Sequence, residues 1–194
     1  MLRPALDNIG LMIASIYCTI PVYWILVHPL IGRWRQRGRR AYVVILPLWA
    51  LAILAAARLA WPLRHLHLYE TWVSLPLGLI FIAMGLALYR EGGQSFSGTQ
   101  LSGLAELEPQ QYHQQLVSGG IRSHTRHPIY LGHFCEVFGW LLITGSFGIG
   151  ALVGFGLLAG TWMIRLEDRE LERRFGEPFR EYATRVPAFL PRKR

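Results

Sequence analysis

Four groups of residues carry side chains able to do chemistry. The run Thr125-Arg-His-Pro-Ile-Tyr130 sets His127 and Tyr130 three apart, on one face of any helix that begins at Pro128. Such a pair can bind a ligand at the water boundary, or it can anchor the chain at headgroup depth, which His, Tyr and Arg favour. Arg165-Leu-Glu-Asp168, continuing into Glu170 and Glu172, places two adjacent carboxylates at the exit of an apolar run. Carboxylates there are costly when desolvated and can hold a cation, or they complement the dipole of a following helix. Glu136, with His133 one turn before it, stands inside an apolar run. It is either functional or protonated and hydrogen-bonded to a neighbouring helix. The segment Phe175 to Pro187 either lies on a lipid surface or folds back over a site. His124, His127 and His133 straddle a loop and a helix without a cysteine or carboxylate at ligand spacing, so no metal is expected.

The elements that must position these residues are apolar runs. The chain has 194 residues, 52% hydrophobic and 16% charged, against roughly 25% charged in a soluble domain. A hydrocarbon layer of ~30 Å takes ~20 helical residues to cross. Runs of that order fall at about 9–31, 41–61, 72–89, 128–146 and 147–166. The expectation is therefore an all-α integral membrane fold, one membrane domain over 1–194 with about five spans. Glu167 to Tyr182 reads as a charged amphipathic C-terminal helix, with Leu171, Phe175 and Phe179 at spacing four. The polar stretch 90–127 is too long for a simple turn, and loops of that kind carry function or are disordered. The N-terminal run has no small-residue cleavage pattern and is expected to be retained as a helix. Cys18 and Cys135 sit in apolar runs as small hydrophobes.

The net charge of +8 flanks the apolar runs instead of paving a surface, which argues against nucleic acid as partner. All basic residues except Arg3, Arg58 and Arg64 fall on one side of a five-span arrangement. The positive-inside bias then puts the basic C-terminal end in the cytoplasm and the N-terminus outside, in the cell inner membrane if the source is bacterial.

In order and spacing, these pieces resemble the isoprenylcysteine carboxyl methyltransferase family, within the wider group of membrane methyltransferases that includes the phospholipid methyltransferases. The resemblance covers roughly Gln94 to Pro191. It rests on Leu116-Val-Ser-Gly-Gly-Ile-Arg-Ser-His-Thr-Arg-His-Pro-Ile-Tyr-Leu-Gly132, the acidic pair Glu167-Asp168, Phe175-Gly176, Tyr182, Val186-Pro187 and the short Gln94-Ser-Phe-Ser-Gly98. It implies S-adenosylmethionine as methyl donor, bound without metal in a cofactor region of about 91–194. It implies that Gln114, Gln115, Leu116 and Val117 grip the adenosine part through their backbone. His127, Pro128, Ile129 and Tyr130 match the cofactor-contacting His-Pro-x-Tyr; Glu167 matches the acid that meets the cofactor, and Asp168 takes the second acidic place. The family usually has an aromatic residue where Arg122 stands, and an arginine for the acceptor's carboxylate where Met163 stands. Arg165, about 200° further round the helix, is then the residue left to contact the acceptor, with Glu167 beside the chemistry. The implied acceptor is lipophilic or prenyl-like and enters from the membrane lipids. Phospholipid or small-thiol methylation, an NADPH-dependent sterol reductase, and a non-enzymatic scaffold or transport subunit are the other readings open at this point.

Overall fold

The computed structural model describes residues 2–69, 73–112 and 115–189. Every named element among them is helical, and the one strand-like pairing there is an isolated bridge between His67 and Ser146. Helix α1 spans Leu2–Tyr17 and α2 spans Ile20–Val27. The break between them has a local cause. The hydroxyls of Ser15 and Thr19 bond back to Leu11 O at 2.7 Å and Ser15 O at 2.8 Å, and Pro21 supplies no N–H to the first turn of α2. Helix α3 (Ile31–Arg37) carries part of the arginine-rich turn, Gly38 reverses the chain at φ +52°, and α4 (Tyr42–Ala60) follows.

Helix α5 runs over Leu75–Gly93, later than the expected 72–89; residue 72 lies outside the described residues. The long polar stretch after it is built: α6 (Gly98–Leu101) opens on a capping box between Ser97 and Gln100, and α7 (Leu104–Leu107) packs Leu107 and Ala105 inside. Helix α8 is Pro128–Thr144 and α9 is Phe147–Phe175. The expected stop near residue 166 does not occur. No glycine or proline interrupts 161–175, so the helix continues to Gly176, whose φ of +62° ends it before α10 (Glu177–Arg185). The acidic pair therefore sits within α9, and the reading of it as the solvated start of a last helix is overturned.

Among the described residues, three stretches are long and apolar enough to cross a membrane: Leu2–Leu63, Leu75–Gly93 and Phe147–Phe175. Helix α8 is apolar but has only 17 residues. Leu51, Leu54, Leu59, Ile80 and Leu158 are all exposed, as on helices that face lipid. Cys18 and Cys135 are buried free thiols.

Helices in lipid gain little from the hydrophobic effect and associate where small residues let backbones approach. Antiparallel α5 and α8 do this along one seam. A Cβ on Gly78 would come within 2.7 Å of Gly139 O, and one on Gly85 within 2.6 Å of Gly132 O. The reverse approaches, from Gly139 to Gly78 O and from Gly132 to Gly85 O, are 2.6 and 2.8 Å. Gly85→Leu is expected to cost about 1–3 kcal/mol by overpacking, read as a lower unfolding midpoint in detergent. Gly93→Ala, with nothing within 4 Å of its Cβ position, should leave that midpoint nearly unchanged.

Candidate functional site

Where the polar stretch turns into α8, His127 caps the helix and Pro128 opens it. The His127 side chain is buried and its Nε2 lies 2.9 Å from Asp168 Oδ1 on α9. The neighbouring Arg126 donates from Nη2 to the other oxygen of the same carboxylate, Oδ2, at 2.6 Å. Both main-chain N–H groups of this pair donate to the segment after α10: Arg126 N to Pro187 O at 2.9 Å and His127 N to Ala188 O at 3.2 Å. Tyr182 of α10 donates its hydroxyl to Arg122 O at 2.6 Å. The basic tail thus folds back against residues 122–127, the second of its two sequence readings.

Residues one apart on a helix point about 100° apart, and the acidic pair splits accordingly. Asp168 spends its oxygens on Arg126 and His127 and does not line the cavity described next. Glu167 does line it: its Oε2 stands 3.7 Å from His127 Nδ1 and is buried without a hydrogen-bond partner.

That cavity has a volume of about 560 Å³, within the range of small-molecule sites. Its lining includes Gln115, Leu116, Val117, His127, Ile129, Tyr130 and Glu167. These are residues the sequence marks for cofactor contact; Pro128, Asp168 and Arg165 do not line it, and Gln114 lies outside the described residues. Arg165 is exposed on α9. Tyr130 stacks on His127 with ring centroids 5.8 Å apart, and Arg122 lies 4.1 Å over the Phe96 ring. Where the family resemblance has an aromatic residue, the Arg122 guanidinium supplies a flat face instead.

Another part of the lining was missed by sequence reasoning. Tyr23, Trp24, Tyr42 and Trp49 from α2 and α4 wall the cavity, and Glu106 of α7 reaches it. The Tyr23 and Tyr42 hydroxyls both donate to Ser102 O, at 3.2 and 2.9 Å, which holds α6 and α7 against α2 and α4. Glu106 lies 3.7 Å from both His28 Nδ1 and Arg174 Nη2; Arg174 also meets Glu170, which Arg35 bonds at 3.0 Å. Burial pushes the Glu106 carboxyl up to about 8, against the opposing pull of Arg174. Glu170 and Arg174 are one turn apart on α9. Glu106 gave no signal, being one acid in a polar loop.

No group of three metal-binding side chains exists among the described residues. A family model described as phospholipid methyltransferase matches residues 73–178. The nickel-cobalt-cadmium resistance protein NccN of Alcaligenes xylosoxydans xylosoxydans is 32% identical over 132 residues, covering 66% of this chain and 56% of that protein. The cobalt-zinc-cadmium resistance protein CzcN of Cupriavidus metallidurans is 35% identical, over 63% and 52%. A protein-S-isoprenylcysteine O-methyltransferase of Xenopus laevis is 32% identical, over 62% and 41%. The chain spans about half the length of these relatives, and no solved structure matches it.

The Glu106 carboxyl binds its proton more tightly folded than unfolded, so the native state holds more protons between about pH 4.5 and 8. Its contribution to stability is full below that window and falls as pH rises through it. Glu106→Gln, which keeps the neutral shape, should match the parent's unfolding temperature at pH 5 and exceed it at pH 8.5 in detergent.

Proposed function

The chain belongs to the phospholipid methyltransferase family, and from that premise we propose that it is an S-adenosylmethionine-dependent membrane methyltransferase acting on a lipophilic acceptor. The observation that carries the reading is that Glu167, His127, Tyr130 and residues 115–117 line one cavity of about 560 Å³. The residues present suit the donor's chemistry. Glu167 offers a buried carboxylate oxygen with no hydrogen-bond partner, a natural counterpart for a sulfonium or ammonium charge. Tyr130 and His127 offer stacked ring faces beside it. When bound, the cofactor supplies an activated methyl group on a cationic sulfur.

What remains for the chain is alignment and exclusion of water, since methyl transfer is an in-line displacement in which the cation is neutralised. Asp168, by holding Arg126 and His127, fixes the start of α8 against α9 and so keeps Tyr130 facing Glu167. Residues 115–117 close the site from the loop side, where Leu116 packs on the cluster of Phe179, Tyr182 and Val186. The isoprenylcysteine carboxyl methyltransferase resemblance supports this division of labour around the cofactor, with no metal required.

In this reading the helices make five crossings, with the site and α10 at the cytoplasmic boundary, the N-terminus outside, and the acceptor arriving from the bilayer. A fluorescent protein fused after Arg194 should then glow in a bacterial host, and alkaline phosphatase fused there should be inactive; the opposite pattern overturns the orientation. Glu167→Ala is expected to weaken S-adenosylhomocysteine binding by at least about tenfold, the loss of one charge-assisted contact of roughly 1.5–3 kcal/mol, measured by calorimetry in detergent. Unchanged affinity removes Glu167 from the site.

A further inference from the structure

A second cavity, of about 410 Å³ and almost wholly apolar, lies beside the first. Tyr130, His133 and Ile20 line both, so the two spaces meet at these side chains. His133 is the group at that junction whose chemistry the mechanism above leaves unused. It sits one turn beyond Tyr130 on α8, on the same face. Its ring is held between Tyr17 of α1, at a centroid distance of 4.8 Å, and Tyr89 of α5, at 5.3 Å. Its Nδ1 is buried without a hydrogen-bond partner, and no ion pair reaches it among the described residues. An imidazole fixed by ring contacts alone, with Nδ1 sealed off, leaves Nε2 as the nitrogen open to a third party.

Resting on the methyltransferase reading, we propose that His133 is the general base of this enzyme, and that the acceptor is a thiol or hydroxyl on a lipophilic tail rather than a carboxylate. A carboxylate acceptor needs a cation at the reacting end and no base. Here Arg165 is exposed outside the cavity, and the lining arginines are engaged by the protein. Arg122 donates to Arg126 O and Gly92 O, Arg126 to Asp168, and Arg174 meets Glu170. What stands at the junction is a neutral acceptor of protons. The acceptor's tail lies in the apolar cavity, and its X–H hydrogen-bonds to Nε2. The X lone pair forms the new bond to the methyl carbon as the carbon–sulfur bond breaks, its electron pair neutralising the sulfonium, and the X–H proton passes to Nε2. The flanking Tyr17 and Tyr89 rings stabilise the imidazolium that results. The ionisable groups facing this imidazole are Tyr17, Tyr89, Tyr130 and, one turn on, Glu136.

The test uses the full chain in detergent, a labelled methyl donor and two acceptors: dodecane-1-thiol, protonated at neutral pH, and 4-nitrothiophenol, already a thiolate there. His133→Gln should lower kcat on dodecane-1-thiol by about 100-fold, the usual worth of a general base, while S-adenosylhomocysteine affinity stays unchanged. On 4-nitrothiophenol the same variant should retain most of the parent rate. His133→Asn should behave alike, and its retained affinity shows that the fold is intact. Equal losses on the two thiols, no loss on either, or parent label recovered only as alkali-labile methyl ester overturns the proposal. A parent protein that binds no S-adenosylhomocysteine defeats the underlying methyltransferase reading instead.

Discussion

One carboxylate joins three parts of this molecule. Asp168 receives Arg126 at 2.6 Å and His127 at 2.9 Å, and both donors belong to the last residues before α8. Charge-assisted bonds of this length are strong where water is scarce, and losing one partner would strand the others. Because the same two residues also bond through their N–H groups to Pro187 and Ala188, the contact fixes α8, α9 and the post-α10 segment together. The orientation of Glu167 is a consequence. With its neighbour turned into the clamp, Glu167 faces the cavity.

The glycine seam between α5 and α8 adds a second constraint to that clamp. It brings the two backbones close enough that the α8 side chains Ile129, Glu136 and Ile143 lie against the α5 glycines Gly92, Gly85 and Gly78. Arg122 completes the junction by donating to Gly92 O at the end of α5. Helix α8 is thus located laterally by the seam and axially by the Asp168 clamp. Tyr130 and His133, one turn apart, inherit their positions from both.

The sequence made the helical runs legible because their lengths and polar borders are set by a solvent change, and α4 at Tyr42–Ala60 and α8 at Pro128–Thr144 lie close to the expected limits. The convergence of His127 with Glu167 also followed from residue order, through the family resemblance. The resemblance also pointed to Glu167 as the acid that meets the cofactor, but that Asp168 turns away into the clamp did not follow, since that depends on the rotation of α9, fixed only by packing. Arg165 shows the same difficulty: two residues from Met163 on a helix is far round in angle, and the structure leaves it exposed. Glu106 was hidden for another reason. Its role comes from burial under α2 and α4, created by the Ser102 carbonyl that Tyr23 and Tyr42 share, and no local pattern announces such a contact.

The fold-back of the tail has a bearing on how the protein is made. Residues 182–188 emerge from the ribosome after α1 to α9, yet they supply the hydroxyl and carbonyl groups that pin the start of α8. Until then a nascent chain can hold its helices in place while the chamber between them stays unsealed. Completion of the site thereby waits on translation past residue 188, so a chain released before that point is left without its closing strap.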